Sequence, residues 1–301
     1  MPRETDATAP SQPMTSLPQA KRFDWRNLLL RIASATVLVP AALYATLGQH
    51  QHFVPALTGR REGLPYLLLI SIAAPLLAIE WGGMSAPRAP VRVSAAVTVA
   101  VLSAVFLGYR ESYYLAWLAI PVGALASALI ARGVAERPAD AAYGVLYIAP
   151  ACLCLIWLRD TNQGVWWTLM LFAATWSADI GAFAVGSALK GPKLWPRFSP
   201  NKTWSGFIGG LLAATGSAIA MASLPYFQLS LLAAGLIGLA VGLATMAGDL
   251  WESALKRRFG VKDSGDIIPG HGGLLDRVDG LMFAVVVMAL ARYANHHWWL
   301  H

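Results

Sequence analysis

Charge is scarce in this sequence. Only 13% of its 301 residues are charged, against roughly 25% in an ordinary soluble domain. Cysteine is scarcer still, with Cys152 and Cys154 the only two. Residues two apart on a helix do not face each other, so this pair argues against a disulfide or a thiolate metal site. It reads as small apolar packing. A secreted module built on disulfides is therefore a poor fit. No GxxxxGK[ST] is present, which excludes a P-loop. Apart from residues 1–27, rich in Pro, Ser, Thr and charge, the chain also lacks the polar stretches of a disordered protein.

Apolar side chains fill the space that charge leaves. Hydrophobic residues make up 56%, with 12 Trp and 27 Gly, and mean hydropathy is +0.53. The bulk of the chain belongs in lipid. A net charge of +7 could suggest a nucleic-acid partner. The basic residues, however, sit in short clusters between apolar blocks, which is the pattern of membrane topology, and no nucleic acid is expected.

Hydropathy predicts nine spans, at 28–47, 64–83, 92–108, 113–131, 142–158, 165–188, 207–223, 229–250 and 280–299. Each is long enough to cross roughly 30 Å of hydrocarbon. The expected fold is an all-α polytopic integral membrane protein with a polar site facing the cytoplasm. It divides into a disordered cytoplasmic tail (1–27), N-terminal membrane helices (28–160) and a C-terminal catalytic membrane region (161–301). A signal peptide ending near Ala42 or Ala45 competes for the first span, but the long polar lead and the eight later spans oppose it. Placing the N-terminus inside puts Arg3, Lys21, Arg22 and Arg26, Arg88 and Arg92, and Arg132 and Arg137 in the cytoplasm. Lys190, Lys193, Arg197 and Lys202 join them, with Lys256, Arg257, Arg258, Lys262 and Arg277. Only Arg60, Arg61, Arg110 and Arg159 remain outside, and Arg31 and Arg292 fall within spans. That asymmetry sets the orientation in a bacterial-type inner membrane, with His301 outside and Trp298 and Trp299 in the outer aromatic belt.

An ionisable group inside a span costs at least about 2.5–3.5 kcal/mol at its centre, so it marks function by default. Glu80, Asp179 and Asp249 are such groups, all toward the inner ends of spans, and Asp276 and Asp279 open the ninth span from the same side. Glu80, beside Trp81, is expected to be a hydrated interfacial acid. Asp179 and Asp249 have more telling surroundings. Asp249, Glu252 or Ser253, and Lys256 share one face of a helix leaving the membrane. The loop that follows carries Gly265, Gly270, Gly272 and Gly273, which allow close backbone approach. It also carries the cations Lys262 and Arg277 and the hard oxygen donors Asp263, Asp266, Asp276 and Asp279. Such a mixture suits phosphate with Mg²⁺, a metal that keeps waters and bridges few carboxylates to phosphate oxygens. A second basic loop, 189–206, places Lys202 and Thr203 at the start of the seventh span, where helix N–H groups favour an anion. Taken alone, that loop reads as positive-inside charge and a turn.

These residues resemble the phosphatidate cytidylyltransferases, or CDP-diacylglycerol synthases. Ser253-x-x-Lys256-Arg257-x4-Lys262-Asp263-x-Gly265-x3-Pro269-x-His271-Gly272-Gly273-x2-Asp276-Arg277-x-Asp279 is similar to that family's C-terminal motif without gaps. Gly248-Asp249-Leu250, Asp179-x-Gly181-Ala182-Phe183 and Ser199-Pro200-x-Lys202-Thr203 are similar as well. The resemblance covers residues 179–279. Asn201 and Ser205 depart from it, standing where the family often has a second Lys and an acid.

The resemblance implies transfer of CMP from CTP to phosphatidate, giving CDP-diacylglycerol and pyrophosphate, with Mg²⁺ as cofactor and membrane lipid as surroundings. A homodimer is compatible with it. Asp249 and Asp276 are the implied metal ligands, with Asp279 and Asp179 as further candidates. Lys202, Lys256, Arg257, Lys262 and Arg277 would neutralise the two anionic substrates, and Ser199, Thr203, Ser253 and Asp263 would line them. The nucleophile is a phosphate monoester with a second pKa of about 6, already largely a dianion near neutrality. It needs no strong base, so His271 is expected to donate to phosphate or order the loop. A CDP-alcohol phosphotransferase needs acids downstream of Asp279-Gly280, and none follows. The alternative, a secondary transporter with a carboxylate-coupled ion site, predicts internal repeats and acids near mid-membrane. Neither is evident here. A binding or scaffold role leaves the costly acids unexplained.

Overall fold

Nine helices make up most of the described residues, because in lipid each backbone polar group must be satisfied within its own segment. The computed structural model describes residues 25–47, 64–196, 199–227, 229–270 and 272–298, with side chains from residue 36 to residue 295. The helices are α1 (Trp25–Leu47), α2 (Leu64–Ser85), α3 (Pro90–Tyr109), α4 (Tyr113–Ile130), α5 (Pro138–Asp160), α6 (Gly164–Leu189), α7 (Trp204–Ala222), α8 (Leu231–Arg258) and α9 (Leu275–Trp298). Eight of them, α2 to α9, contain stretches long and apolar enough to cross a membrane. The protein is thus an all-α polytopic membrane protein. Residues 1–24 of the expected tail lie outside the described residues, as do Arg60, Arg61, Arg197, His271, Trp299 and His301. Residues 25–27 belong to α1.

Two boundaries move in a way that matters. The eighth expected span ended at residue 250, and α8 runs on to Arg258, so the face shared by Asp249, Glu252 and Lys256 is helical as the spacing predicted. α9 begins at Leu275, five residues before the ninth span, which places Asp276 and Asp279 on a helix. The 189–206 segment also contains a small antiparallel hairpin, β1 (Lys193–Trp195) with β2 (Ser199–Thr203), pairing Lys193 with Thr203 and Trp195 with Ser199.

Neighbours in sequence pack against one another, α2 on α3, α3 on α4, α6 on α7, α7 on α8 and α8 on α9, and α5 closes the bundle by packing on α2, α3 and α9. Cys152 and Cys154 are free and buried in α5, as small packing residues should be. Beneath the site, Trp81 packs on Tyr143, Tyr147 and Phe259, and its Nε1–H donates to the Asp140 carbonyl at 2.9 Å. The Asp140 carboxylate pairs with Arg258 at the end of α8. At the opposite end of the bundle the Arg159 Nε–H donates to Thr46 O, and Arg292 Nη2 donates to Asn162 O. These arginines near the helix ends thus find backbone acceptors.

α8 and α9 come into close contact where each lacks a side chain. A Cβ on Gly248 would lie 2.5 Å from the Asp279 carbonyl oxygen, and one on Gly280 would lie 2.8 Å from Thr245 Cγ2. This contact sets Asp249 beside Asp279, since each is the sequence neighbour of a contact glycine. Gly248→Ala should therefore overpack the contact and destabilise the protein by about 1–3 kcal/mol. Gly216→Ala, where an added Cβ meets nothing within 4 Å, should be tolerated. Thermal unfolding in detergent, followed by tryptophan fluorescence, compares the two.

Candidate active site

At the end of the bundle where α6 and α8 finish and α9 begins, a cavity of about 1030 Å³ is lined by charged side chains from every nearby element. Asp179 comes from α6, Lys202 from β2, Asp249 and Lys256 from α8, Asp263 from the following loop, and Asp276, Arg277 and Asp279 from α9. The cavity thus unites eight of the charged site residues singled out in the sequence. Thr203 lines it too, together with Lys190, Lys193 and Asn201.

The carboxylates of this site are met by cations. Lys202 pairs with Asp249. Lys256 pairs with Asp276 and sits 3.1 Å from Glu252 Oε2. Glu252, 1% exposed, is the most buried acid of the group. Its Oε1 has no hydrogen-bond donor among the described residues, and the carboxyl beside it is that of Asp279. Two acceptors that face one another need a proton or a cation between them. Glu252 follows Asp249 by three residues on the polar face of α8, and that spacing was the signal available for it.

The glycine-rich loop is held from within. Asp276 Oδ2 accepts the Ser264 and Gly273 N–H groups at 3.0 and 3.3 Å. The Leu274 and Leu275 N–H groups, orphans at the start of α9, donate to Glu80 Oε1 and Oε2, each at 2.7 Å. The Ser264 hydroxyl reaches Glu80 Oε2 at 3.2 Å. Gly273 has to be glycine here, because a Cβ would lie 1.8 Å from Ser264 Oγ and 2.9 Å from Asp276 Oδ2. Glu80 is not the hydrated interfacial acid expected of it. It is 3% exposed, and the reason is tertiary: α2 delivers it beneath a loop nearly two hundred residues further along the chain.

Thr203 is the N-cap of α7, and its hydroxyl accepts the Gly206 N–H at 3.1 Å. It also lies 3.1 Å from the Ser205 hydroxyl, which accepts the Gly191 N–H. Lys202 stands at a helix start as the sequence suggested. Arg257 and Lys262 are exposed and do not line the cavity, and an Arg257 Nη1–H donates to the Val261 carbonyl. Ser199 and Ser253 do not line it either. His271 lies outside the described residues.

A divalent cation fits this donor set. No group of three or more His, Cys, Asp or Glu is arranged as a metal cluster among the described residues. Mg²⁺ does not require one, since it is commonly held by one or two carboxylates together with waters and substrate phosphates. Asp249 and Asp276 each face an ammonium, and Asp279 lies beside Glu252 and accepts the Gly280 N–H at 2.7 Å.

Asp276 also has a structural task. Asp276→Ala strips one of two acceptors from Lys256 and the acceptor from two loop N–H groups. Removing one partner of a buried pair typically costs about 3–5 kcal/mol, so the variant should unfold at a clearly lower temperature than the unmodified protein. Lys262→Ala, at an exposed position outside the cavity, should leave the midpoint in place. A thermal shift in detergent measures both.

Residues 30–294 match a family described as the cytidylyltransferase family. A phosphatidate cytidylyltransferase of Brucella suis is 47% identical over 155 residues, covering 50% of this chain and 55% of the relative. One of Staphylococcus saprophyticus is 39% identical over 150 residues, covering 50% and 58% respectively. The chain therefore spans a little over half the length of these curated relatives.

Proposed function

This chain belongs to the cytidylyltransferase family, and from that premise we propose that it transfers CMP from CTP to phosphatidate. The products are CDP-diacylglycerol and pyrophosphate, and Mg²⁺ is required. One observation carries the proposal. The polar cavity and an apolar cavity of about 260 Å³ share Asp179, Arg277 and Asp279. The apolar cavity runs between helices past Leu38, Leu77, Leu155 and Phe172. A site of this shape suits an acceptor with a phosphate head and hydrocarbon tails beside a soluble triphosphate.

A phosphate oxygen of the lipid bonds to the α-phosphorus of CTP, and the bond from that phosphorus to the bridging oxygen breaks as pyrophosphate leaves. The attacking monoester is largely a dianion near neutrality, so no strong base is needed. The harder task is to bring two anions together and hold them in line. Lys202, Lys190 and Lys193 flank the cavity on the hairpin side and would take the triphosphate. Arg277 and Lys256 line it from α9 and α8, where they would meet charge shifting at the α-phosphate. Asp249 and Asp276, with Asp179 and Asp279 beside them, would hold Mg²⁺. When bound, the metal would neutralise phosphate oxygens and favour pyrophosphate as leaving group. The N-terminus and the cavity face the cytoplasm, the source of CTP.

Transfer of radiolabelled CMP from CTP to phosphatidate by purified protein in mixed micelles is the direct test, and absence of transfer with Mg²⁺ present would remove the proposal. Contacts equal in ground and transition states change KM, and those made only in the transition state change kcat. Lys202→Ala should therefore chiefly raise the KM for CTP. Arg277→Ala should chiefly lower kcat, by roughly 10²-fold if it resembles the loss of one preorganised donor. An unchanged KM in Lys202→Ala would mean that the hairpin does not clamp the nucleotide.

Orientation is tested by single cysteines in a background lacking Cys152 and Cys154. Asp266→Cys should resist a membrane-impermeant thiol reagent in intact cells and react after lysis, whereas Arg110→Cys should react in both. The reverse pattern would put the cavity on the wrong side for cytosolic CTP.

A further inference from the structure

Glu80 lies outside the polar cavity, yet it is the acid most fully engaged by the loop that borders it. Its two oxygens take the Leu274 and Leu275 N–H groups at 2.7 Å each, and the Ser264 hydroxyl at 3.2 Å. A carboxylate at a helix N-terminus also interacts favourably with the helix dipole. An acid placed to do this usually comes from the first turn of the same helix, but here it comes from α2.

Its placement has consequences two residues away. Leu275 precedes Asp276 and Arg277 in the first turn of α9. Ser264 links both acids, since its hydroxyl donates to Glu80 and its N–H donates to Asp276 Oδ2. The loop packs tightly on the carboxylate as well: a Cβ on Gly265 would lie 3.0 Å from Glu80 Cγ, and one on Gly273 would lie 3.0 Å from Glu80 Oε2. α2 is itself fixed through Trp81, whose indole N–H bonds to Asp140. The Glu80 carboxylate is thus a rigid anchor that sets where α9 begins.

We propose that Glu80 is a positioning residue: by capping α9 and holding Ser264, it fixes the placement of Asp276 and Arg277 toward the cavity. The kinetic part of its test rests on the transfer reaction proposed above, and the structural part does not.

Glu80→Gln preserves size but leaves one acceptor oxygen where two N–H groups need one each. Hydrogen–deuterium exchange of the purified protein reads the anchor directly. The Leu274 and Leu275 amides should exchange at least about tenfold faster in the variant, since each loses a charged acceptor. Unchanged exchange would overturn the proposal whether or not the protein transfers CMP.

In the transfer assay Glu80→Gln should lower kcat by about 10- to 100-fold, because an ångström of misplacement can cost that much. The KM for CTP should stay within about twofold, since Lys202 is untouched by this change. A double-mutant cycle separates positioning from general weakening. In an Arg277→Ala background, Glu80→Gln should lower kcat far less than it does alone, because the group it positions is already gone. Full multiplication of the two losses would overturn the positioning role. Should Glu80→Gln fail to fold, Ser264→Ala removes only the hydroxyl contact. It should show the same pattern more weakly, and an unchanged kcat there would overturn the proposal as well. If the unmodified protein transfers no CMP, the reaction assignment falls and exchange alone decides the anchor.

Discussion

Every buried carboxylate in this bundle needs a donor or a cation, because an ionised acid in an apolar medium without one is strongly disfavoured. The organisation of the site follows from how each acid meets that demand. Glu80 uses two backbone N–H groups and a hydroxyl. Asp276 uses Lys256 and two loop N–H groups. Asp249 uses Lys202. Asp140, at the foot of α5, uses Arg258. Asp279 takes the Gly280 N–H and Glu252 takes Lys256, but Glu252 Oε1 is left without a donor among the described residues, beside the Asp279 that lines the polar cavity. The acids that are satisfied by protein groups form the frame around it.

That frame joins the two ends of the sequence. α2 contributes Glu80 to the start of α9, and α5 contributes Asp140 to the end of α8, so the C-terminal residues that line the cavity rest on N-terminal helices. The N-terminal half therefore takes part in the geometry of the site even though only Glu80 and hydropathy mark it in the sequence. Close approach of α8 and α9 at Gly248 and Gly280 completes the arrangement by bringing Asp249 beside Asp279.

Legibility in the sequence followed the range of the interaction concerned. Most helix boundaries could be placed to within a few residues, since long apolar runs depend on composition alone, but the polar end of α8 and the polar start of α9 lay beyond the apolar signal. The polar face of α8 was also visible, because Asp249, Glu252 and Lys256 obey helical spacing. What local pattern could not supply was the partner of each acid. Glu80 looks interfacial from its neighbour Trp81, and only the docking of α2 beneath the 264–275 loop makes it a cap. Arg257 and Lys262 belong to the same basic cluster as Lys256 but face away from the cavity, a distinction set by where the helix ends. The β1–β2 hairpin was hidden for a similar reason, as its strands are too short to establish a period.

The glycines of the loop also take on a different physical meaning. Gly-rich turns beside cations suggest a cradle of N–H groups for phosphate, yet here the Ser264, Gly273, Leu274 and Leu275 N–H groups already serve the protein's own carboxylates. Substrate phosphates would therefore be met chiefly by side-chain cations from the hairpin, α8 and α9, and by metal. Ammonium and guanidinium groups can shift as charge moves, whereas a backbone cradle is fixed. A loop whose N–H groups are taken by Glu80 and Asp276 can hold Asp276 and Arg277 in place without competing for the ligand. In the proposed reaction the labour would be divided, with backbone donors ordering the acids and side-chain cations meeting the anions.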